Sequence, residues 1–199
     1  MGSEHLGPWE PRSVAETVAL FQPATFRWWL SGGHALEAHF GESWRSHDDT
    51  DVGIIRHEAA ALLDVLHGWD VQIGAAGVLS PWDGRPLDSD RSENNLWCRP
   101  SPTSPWAIDV TVGDGTDQEW IFRRDRSVRR SWSEAVLVTD DGIPYLAPEI
   151  QMLFKSKTIR PKDQVDAAAV IPRLEPVRRS WLREHLPGDH PWQRLCAAR

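Results

Sequence analysis

The residues in this chain best suited to chemistry are a glycine pair and a set of aspartates. An apolar run from Phe26 to Leu30 ends in Ser31-Gly32-Gly33 and passes into an amphipathic segment, Gly33 to Phe40. That order reads as strand, tight turn, helix. Glycines let the backbone approach a ligand and take positive φ, while the serine hydroxyl and the helix-start amides supply donors for a phosphate. A second stretch alternates Asp49, Asp51 and Gly53 with Thr50, Val52 and Ile54. On a strand this alternation sets both carboxylates on one face and the apolar side chains on the other. Two adjacent carboxylates repel unless a cation lies between them, and a divalent metal suits such hard oxygen ligands.

A third carboxylate, Asp109, interrupts the apolar run Trp106 to Val112, where an unpaired charge is expensive. It must either face a cleft or meet a cation. Strand parity sets Asp48 opposite Asp49 and Asp51, as a neighbour adding field and not as a ligand. Arg45 and His47 precede the acid pair, and His47 has no Cys or His spaced to join it on zinc. Lys155 and Lys157 lie on a segment read as a helix over 148–157, where a two-residue spacing makes them diverge by roughly 200°. Ile150, Leu153 and Phe154 mark the apolar stripe, which favours Lys157 over Lys155 as a phosphate contact, with a solvated face the alternative for both.

In this order the motifs resemble the nucleotidyltransferase superfamily with a polymerase-beta-like core. Within it the likeness is to the small aminoglycoside and lincosamide nucleotidyltransferases, especially the 2''-type aminoglycoside adenylyltransferases. Ser31-Gly32-Gly33, Asp49-x-Asp51, the Asp109 strand and the segment from Tyr145 to Lys157, followed by Arg160-Pro161-Lys162-Asp163, carry the resemblance from about Phe26 to about Asp166. It implies that Asp49, Asp51 and Asp109 hold two magnesium ions, with Asp109 completing the metal site or acting as general base. It also implies that Ser31, Gly32, Gly33, Lys157 and Lys155 bind a nucleoside triphosphate, ATP being the expected donor. The implied reaction moves AMP to a hydroxyl of a small molecule, an aminoglycoside-like antibiotic leading. A toxin–antitoxin-type enzyme acting on tRNA or protein, and a non-catalytic nucleotide-binding relative, are the alternatives. Lys162 and Asp163 match the family pattern without a role that their positions supply.

The implied fold is α+β, a mixed sheet flanked by helices and followed by a C-terminal helical segment. The expected organisation is a core with an N-terminal helix over 1–146 and a helical region over 147–199. Periodicity predicts helices over 14–21, 33–40, 58–66, 148–157, 165–171 and 177–186, and strands over 50–55, 70–73, 96–98, 106–112, 119–122 and 136–138. The stretch 80–95, rich in Pro, Gly and Asp, reads as a long loop suited to a lid or an acceptor contact.

A length of 199 residues fits one domain with at most a small appendage, and the net charge of −7 argues against a general affinity for nucleic acid. It suits cationic ligands. No apolar stretch approaches the roughly 20 residues of a membrane span, and the start of the chain lacks a basic-then-apolar signal, so a cytoplasmic protein is expected. Two cysteines, Cys98 and Cys196, make neither a disulfide framework nor a zinc spacing. Twelve tryptophans promise a large aromatic core, with some free to line a pocket. Oligomeric state has no signal.

Overall fold

The computed structural model describes residues 6–197. Ten strands build one mixed sheet: β1 (Trp28–Leu30), β2 (Asp51–Ile55), β3 (Asp70–Ala75), β4 (Val78–Pro81), β5 (Asn95–Arg99), β6 (Ile108–Gly115), β7 (Glu119–Ile121), β8 (Arg129–Ser131), β9 (Val136–Val138) and β10 (Pro144–Leu146). The main path runs β4-β3-β5-β6-β2-β1-β10-β9, with β7 and β8 continuing from the far end of β6. β2 runs parallel to β6 and β1 parallel to β10, while the other pairs are antiparallel.

Helices cover both faces. α1 (Val14–Phe21) starts with a reciprocal capping box between Ser13 and Glu16, and α2 (Gly32–Phe40) follows β1 directly. A 3₁₀ turn (Arg56–Ala61) leads into the single turn α3 (Leu62–Val65), where one longer helix was expected. In the tighter winding, residues three apart eclipse, and Ala59 and Leu62 both bury against the sheet. After the short α4 (Trp132–Ala135) come α5 (Pro148–Lys155), α6 (Pro161–Val170), α7 (Pro176–His185) and α8 (Gln193–Ala197). α5, α6 and α7 each begin with proline in the first turn, which tolerates a missing N–H.

The sheet has a core on each face, and the alternation of its central strands assigns residues between them. Val52 and Ile54 of β2, with Ile108, Val110 and Val112 of β6, pack toward α1 and the 56–66 segment. The opposite face carries Asp51, Gly53, Asp109, Thr111 and Gly113, and α5 to α7 close over it on a second cluster that joins Trp29, Leu30 and Leu36 to Ile150, Leu153 and Leu182. That cluster crosses residue 146, so the C-terminal helices share a core with the sheet. No helix among the described residues is long and apolar enough to cross a membrane.

Several elements escaped the sequence reading. β4, β8, β10, α4 and α8 are three to five residues long, too short for a periodicity to register. The 80–95 stretch is largely a loop, but it is pinned: Trp82 and Leu87 are buried, and Arg85 grips Glu93 with two hydrogen bonds of 2.8 Å. Only its end, Asn94 and Asn95, reaches the cleft described below.

Candidate active site

A cleft of about 400 Å³ lies between the sheet and the C-terminal helices. All eight residues singled out for metal or nucleotide binding line it: Ser31, Gly32, Gly33, Asp49, Asp51, Asp109, Lys155 and Lys157. Two strand starts and one strand end converge there. Asp51 opens β2, Asp109 lies near the start of β6, and the two are direct neighbours across the parallel ladder. Neighbouring strands are about 4.8 Å apart, so the two carboxylates share one small volume. Asp49 stands two residues before Asp51, outside the strand, and lines the same cleft. Asp48 points away, 89% exposed.

Burial and mutual repulsion outweigh the cations around the pair. Burial raises the Asp51 carboxyl above its ordinary range, and repulsion from Asp49 adds to it. Burial and then Asp51 do the same to Asp109. Lys155, Lys162 and Arg160 oppose the rise at Asp51, and at Asp109 it is opposed by the Asn95 amide, whose Nδ2 donates to Asp109 Oδ1 at 2.9 Å. Hard oxygen donors held together at a raised pKa are the donor set that magnesium takes, so these residues fit the ion that the motif implies.

The glycine turn lies against these acids. Ser31 N–H donates to Asp51 O at 2.9 Å, which carries the ladder from β1 to the first residue of β2. Gly32 has φ +65°, and a Cβ on it would lie well under 3.0 Å from Asp51 Oδ2. Both the conformation and the approach require glycine. Ser31 occupies the N-cap of α2, but its hydroxyl makes no capping bond and is left for a ligand. The Gly32 amide is different from expectation, since it donates to Gln151 Oε1 at 2.9 Å across a buried path. The donors left for a phosphate are therefore the Ser31 hydroxyl and the amides beyond Gly32.

The two lysines do not diverge as a helix through residue 157 would set them. α5 ends at Lys155, so Lys157 is not helical and both side chains reach the cleft. Lys155 is the buried one, held by Asp163 Oδ1 at 3.1 Å and Asp166 Oδ2 at 3.0 Å. Partner charges, not an apolar stripe, take it inside. Lys157 is exposed and has no carboxylate partner among the described residues. Asp163 also accepts from Arg160, and Asp166 accepts from Arg45 Nε (2.8 Å), Arg45 Nη2 (3.0 Å) and Trp44 Nε1 (3.0 Å). The network clamps the segment before Asp49 onto α6. Lys162 Nζ stands 3.9 Å from both Asp48 and Asp49.

Sequence reasoning missed several cleft residues. Arg123 and Arg124 follow β7 and have no carboxylate partner among the described residues; burial, then the neighbouring arginine, lowers the Arg124 pKa to about 10. The adjacent arginines after a predicted strand were the available signal. Trp29 packs directly on Gly53, where no Cβ fits, and with Trp120 and Phe154 gives the cleft an aromatic wall. His47 needs a correction: the sequence offers it no partner by spacing, yet the fold sets His34 and Glu37 of α2 beside it. Residues on facing elements give no spacing to read.

Comparison with known proteins fixes the class. The lincosamide antibiotic adenylyltransferase LnuA, in its lincomycin-bound crystal structure, is similar over 79% of this chain and 95% of its own, with a TM-score of 0.53 at 16% identity. The solution structure of the antibiotic-resistance factor ANT(2'')-Ia is similar over 86% of this chain and 87% of its own, with a TM-score of 0.51 at 12% identity. No curated protein is similar enough in sequence to match. The fold is thus shared with these adenylyltransferases, and the family match makes the chain a nucleotidyltransferase enzyme. It belongs to the aminoglycoside-2''-adenylyltransferase family, whose sequence profile matches residues 13–170.

Proposed function

We propose that the protein is a magnesium-dependent adenylyltransferase that moves AMP from ATP to a hydroxyl of a small antibiotic, releasing pyrophosphate. One observation carries the reading: Asp51 and Asp109 are paired side by side across β2 and β6, under a glycine turn that no larger residue could form. Asp49, Asp51 and Asp109 would hold the metal. When bound, magnesium neutralises phosphate charge and makes an acceptor hydroxyl easier to deprotonate.

The remaining roles fall to the chain itself. The Ser31 hydroxyl and the amides after Gly32 orient the phosphates, and the fixed turn supplies position without reorganisation. Arg123, Arg124 and Lys157, cations without carboxylate partners among the described residues, offset the phosphate charge that the acids alone would repel. Asp109, steadied by the Asn95 amide, takes the acceptor proton. Trp29, Trp120 and Phe154 offer faces for a base or a sugar. A tRNA acceptor is disfavoured by the net charge of −7.

For the acceptor, the family name and the lincomycin bound to LnuA point to hydroxylated antibiotics of the aminoglycoside and lincosamide kinds. Pyrophosphate release from ATP and magnesium, measured against aminoglycosides, lincosamides and bulk tRNA, tests the assignment. Turnover with an antibiotic that is lost in Asp51→Asn supports it. Turnover with tRNA alone, or turnover surviving Asp51→Asn and Asp109→Asn, contradicts it.

A further inference from the structure

On the outer side of the glycine turn stands a second group of ligand-type side chains, His34, Glu37 and His47, each offering an atom within 4.8 Å of the others. His34 and Glu37 lie three apart on α2 and so share a face, while His47 arrives from the loop before Asp49. His47 is 7% exposed, and neither of its ring nitrogens makes a well-aligned hydrogen bond. Its Nε2 comes within 2.9 Å of Glu37 Oε1, but off the line that an N–H bond needs. A buried imidazole with Nδ1 unpartnered and Nε2 only poorly aligned on a carboxylate is costly, and an ion is one of the few occupants that removes the cost.

The carboxylate is prepared for the same occupant. Glu37 Oε1 accepts from Ser43 Oγ at 2.9 Å and from Trp44 N–H at 3.3 Å, which fixes the group as outer hydrogen bonds fix metal ligands. Oε2 is left over, 3.9 Å from His34 Nδ1. Burial, and after it the nearby His47, lowers the His34 pKa to about 4, so its ring keeps a free lone pair at neutral pH. The nearby cation Arg45 has its charge taken up by Asp166.

We propose that His34, Glu37 and His47 form a second, distinct metal site, selective for a divalent transition ion such as zinc. Two imidazoles and one carboxylate suit zinc, cobalt or nickel, whereas magnesium prefers all-oxygen sites. The ligand atoms must draw together by roughly an ångström to reach zinc bonds of about 2.0–2.1 Å. Three protein ligands leave a fourth position for water. The ring of His47 fills the space beside Gly33 where a Cβ would sit, and its chain leads two residues on to Asp49. A bound ion would therefore tie the phosphate turn to the segment that delivers the acids.

The test needs no nucleotide and no acceptor, so its failure leaves the adenylyltransferase reading intact. Chelator-stripped full-length protein, held in excess magnesium to fill the aspartate site, is titrated with zinc and separately with cobalt. The expected result is one equivalent bound, with a visible cobalt spectrum and a zinc X-ray absorption spectrum showing imidazole nitrogen. His34→Ala and Glu37→Gln should each weaken binding by at least about 10–100-fold, while Asp51→Asn leaves it unchanged. No stoichiometric zinc, binding without imidazole signature in the unaltered protein, or binding lost in Asp51→Asn but kept in His34→Ala would overturn the proposal.

Discussion

Gly32 and Asp51 are fitted to each other: a Cβ on Gly32 would come to 2.9 Å from Asp51 Cγ and closer still to Oδ2. The turn that would hold phosphate and the acid that would hold metal are thus one packed unit, joined again by the Ser31 N–H to Asp51 O bond.

Gly32→Ala should abolish most activity. The new methyl group would push Asp51 out of place and strain a backbone at φ +65°, a combination worth about 1–3 kcal/mol of stability. Urea unfolding measures the stability loss, and pyrophosphate release measures a fall of at least about 100-fold, since small misplacements at a reacting centre cost that much.

Asp51→Asn and Asp109→Asn should do the opposite to the metal-free fold. In the folded state the two carboxyls titrate at about 7 and about 8, against 3.8 for the ordinary group. Between those values the folded protein binds more protons than the unfolded chain, so metal-free stability falls as pH rises from about 4 to about 8. Removing one acid relieves this penalty at pH 8, each pKa unit of upward shift being worth about 1.4 kcal/mol. Thermal melts in a chelator would show a larger gain at pH 8 than at pH 5, and neither variant should turn over.

Lys155 and Lys157 separate structure from binding. Lys155→Met leaves Asp163 and Asp166 short of a buried partner and should cost about 3–5 kcal/mol by denaturant unfolding. Lys157→Ala, at an exposed position, should change stability by less than about 0.5 kcal/mol. Its kcat/KM for ATP should fall about 10–100-fold, the worth of one charge-assisted hydrogen bond.

Asn95→Ala removes the one neutral donor on Asp109. The carboxyl pKa then rises further, and the acid limb of the pH–rate profile should move to higher pH while the fold holds. An unmoved profile would remove Asn95 from the site.

Much of this was legible in order along the chain. Gly32 and the aspartates announce themselves because their chemistry depends on local backbone and strand alternation, which a linear sequence carries. Asp109 was found because a carboxylate in an apolar run has few places to go. The burial of Lys155 was unreadable because it depends on Asp163 and Asp166, partners on the next helix. Asn95, Arg123 and the His34–Glu37–His47 group were hidden for the same reason, since their meaning lies in contacts between elements. The short β10 and β8 were unreadable because three residues hold no period.

The most direct test of the central account is thermal unfolding with and without magnesium and ATP, in the unaltered protein and in Asp109→Asn. The account predicts that magnesium with ATP raises the melting temperature of the unaltered protein well beyond ATP alone, and that Asp109→Asn, already more stable without metal, loses that increment. Equal stabilisation of both proteins, or none by any triphosphate, would contradict a metal site built on Asp51 and Asp109.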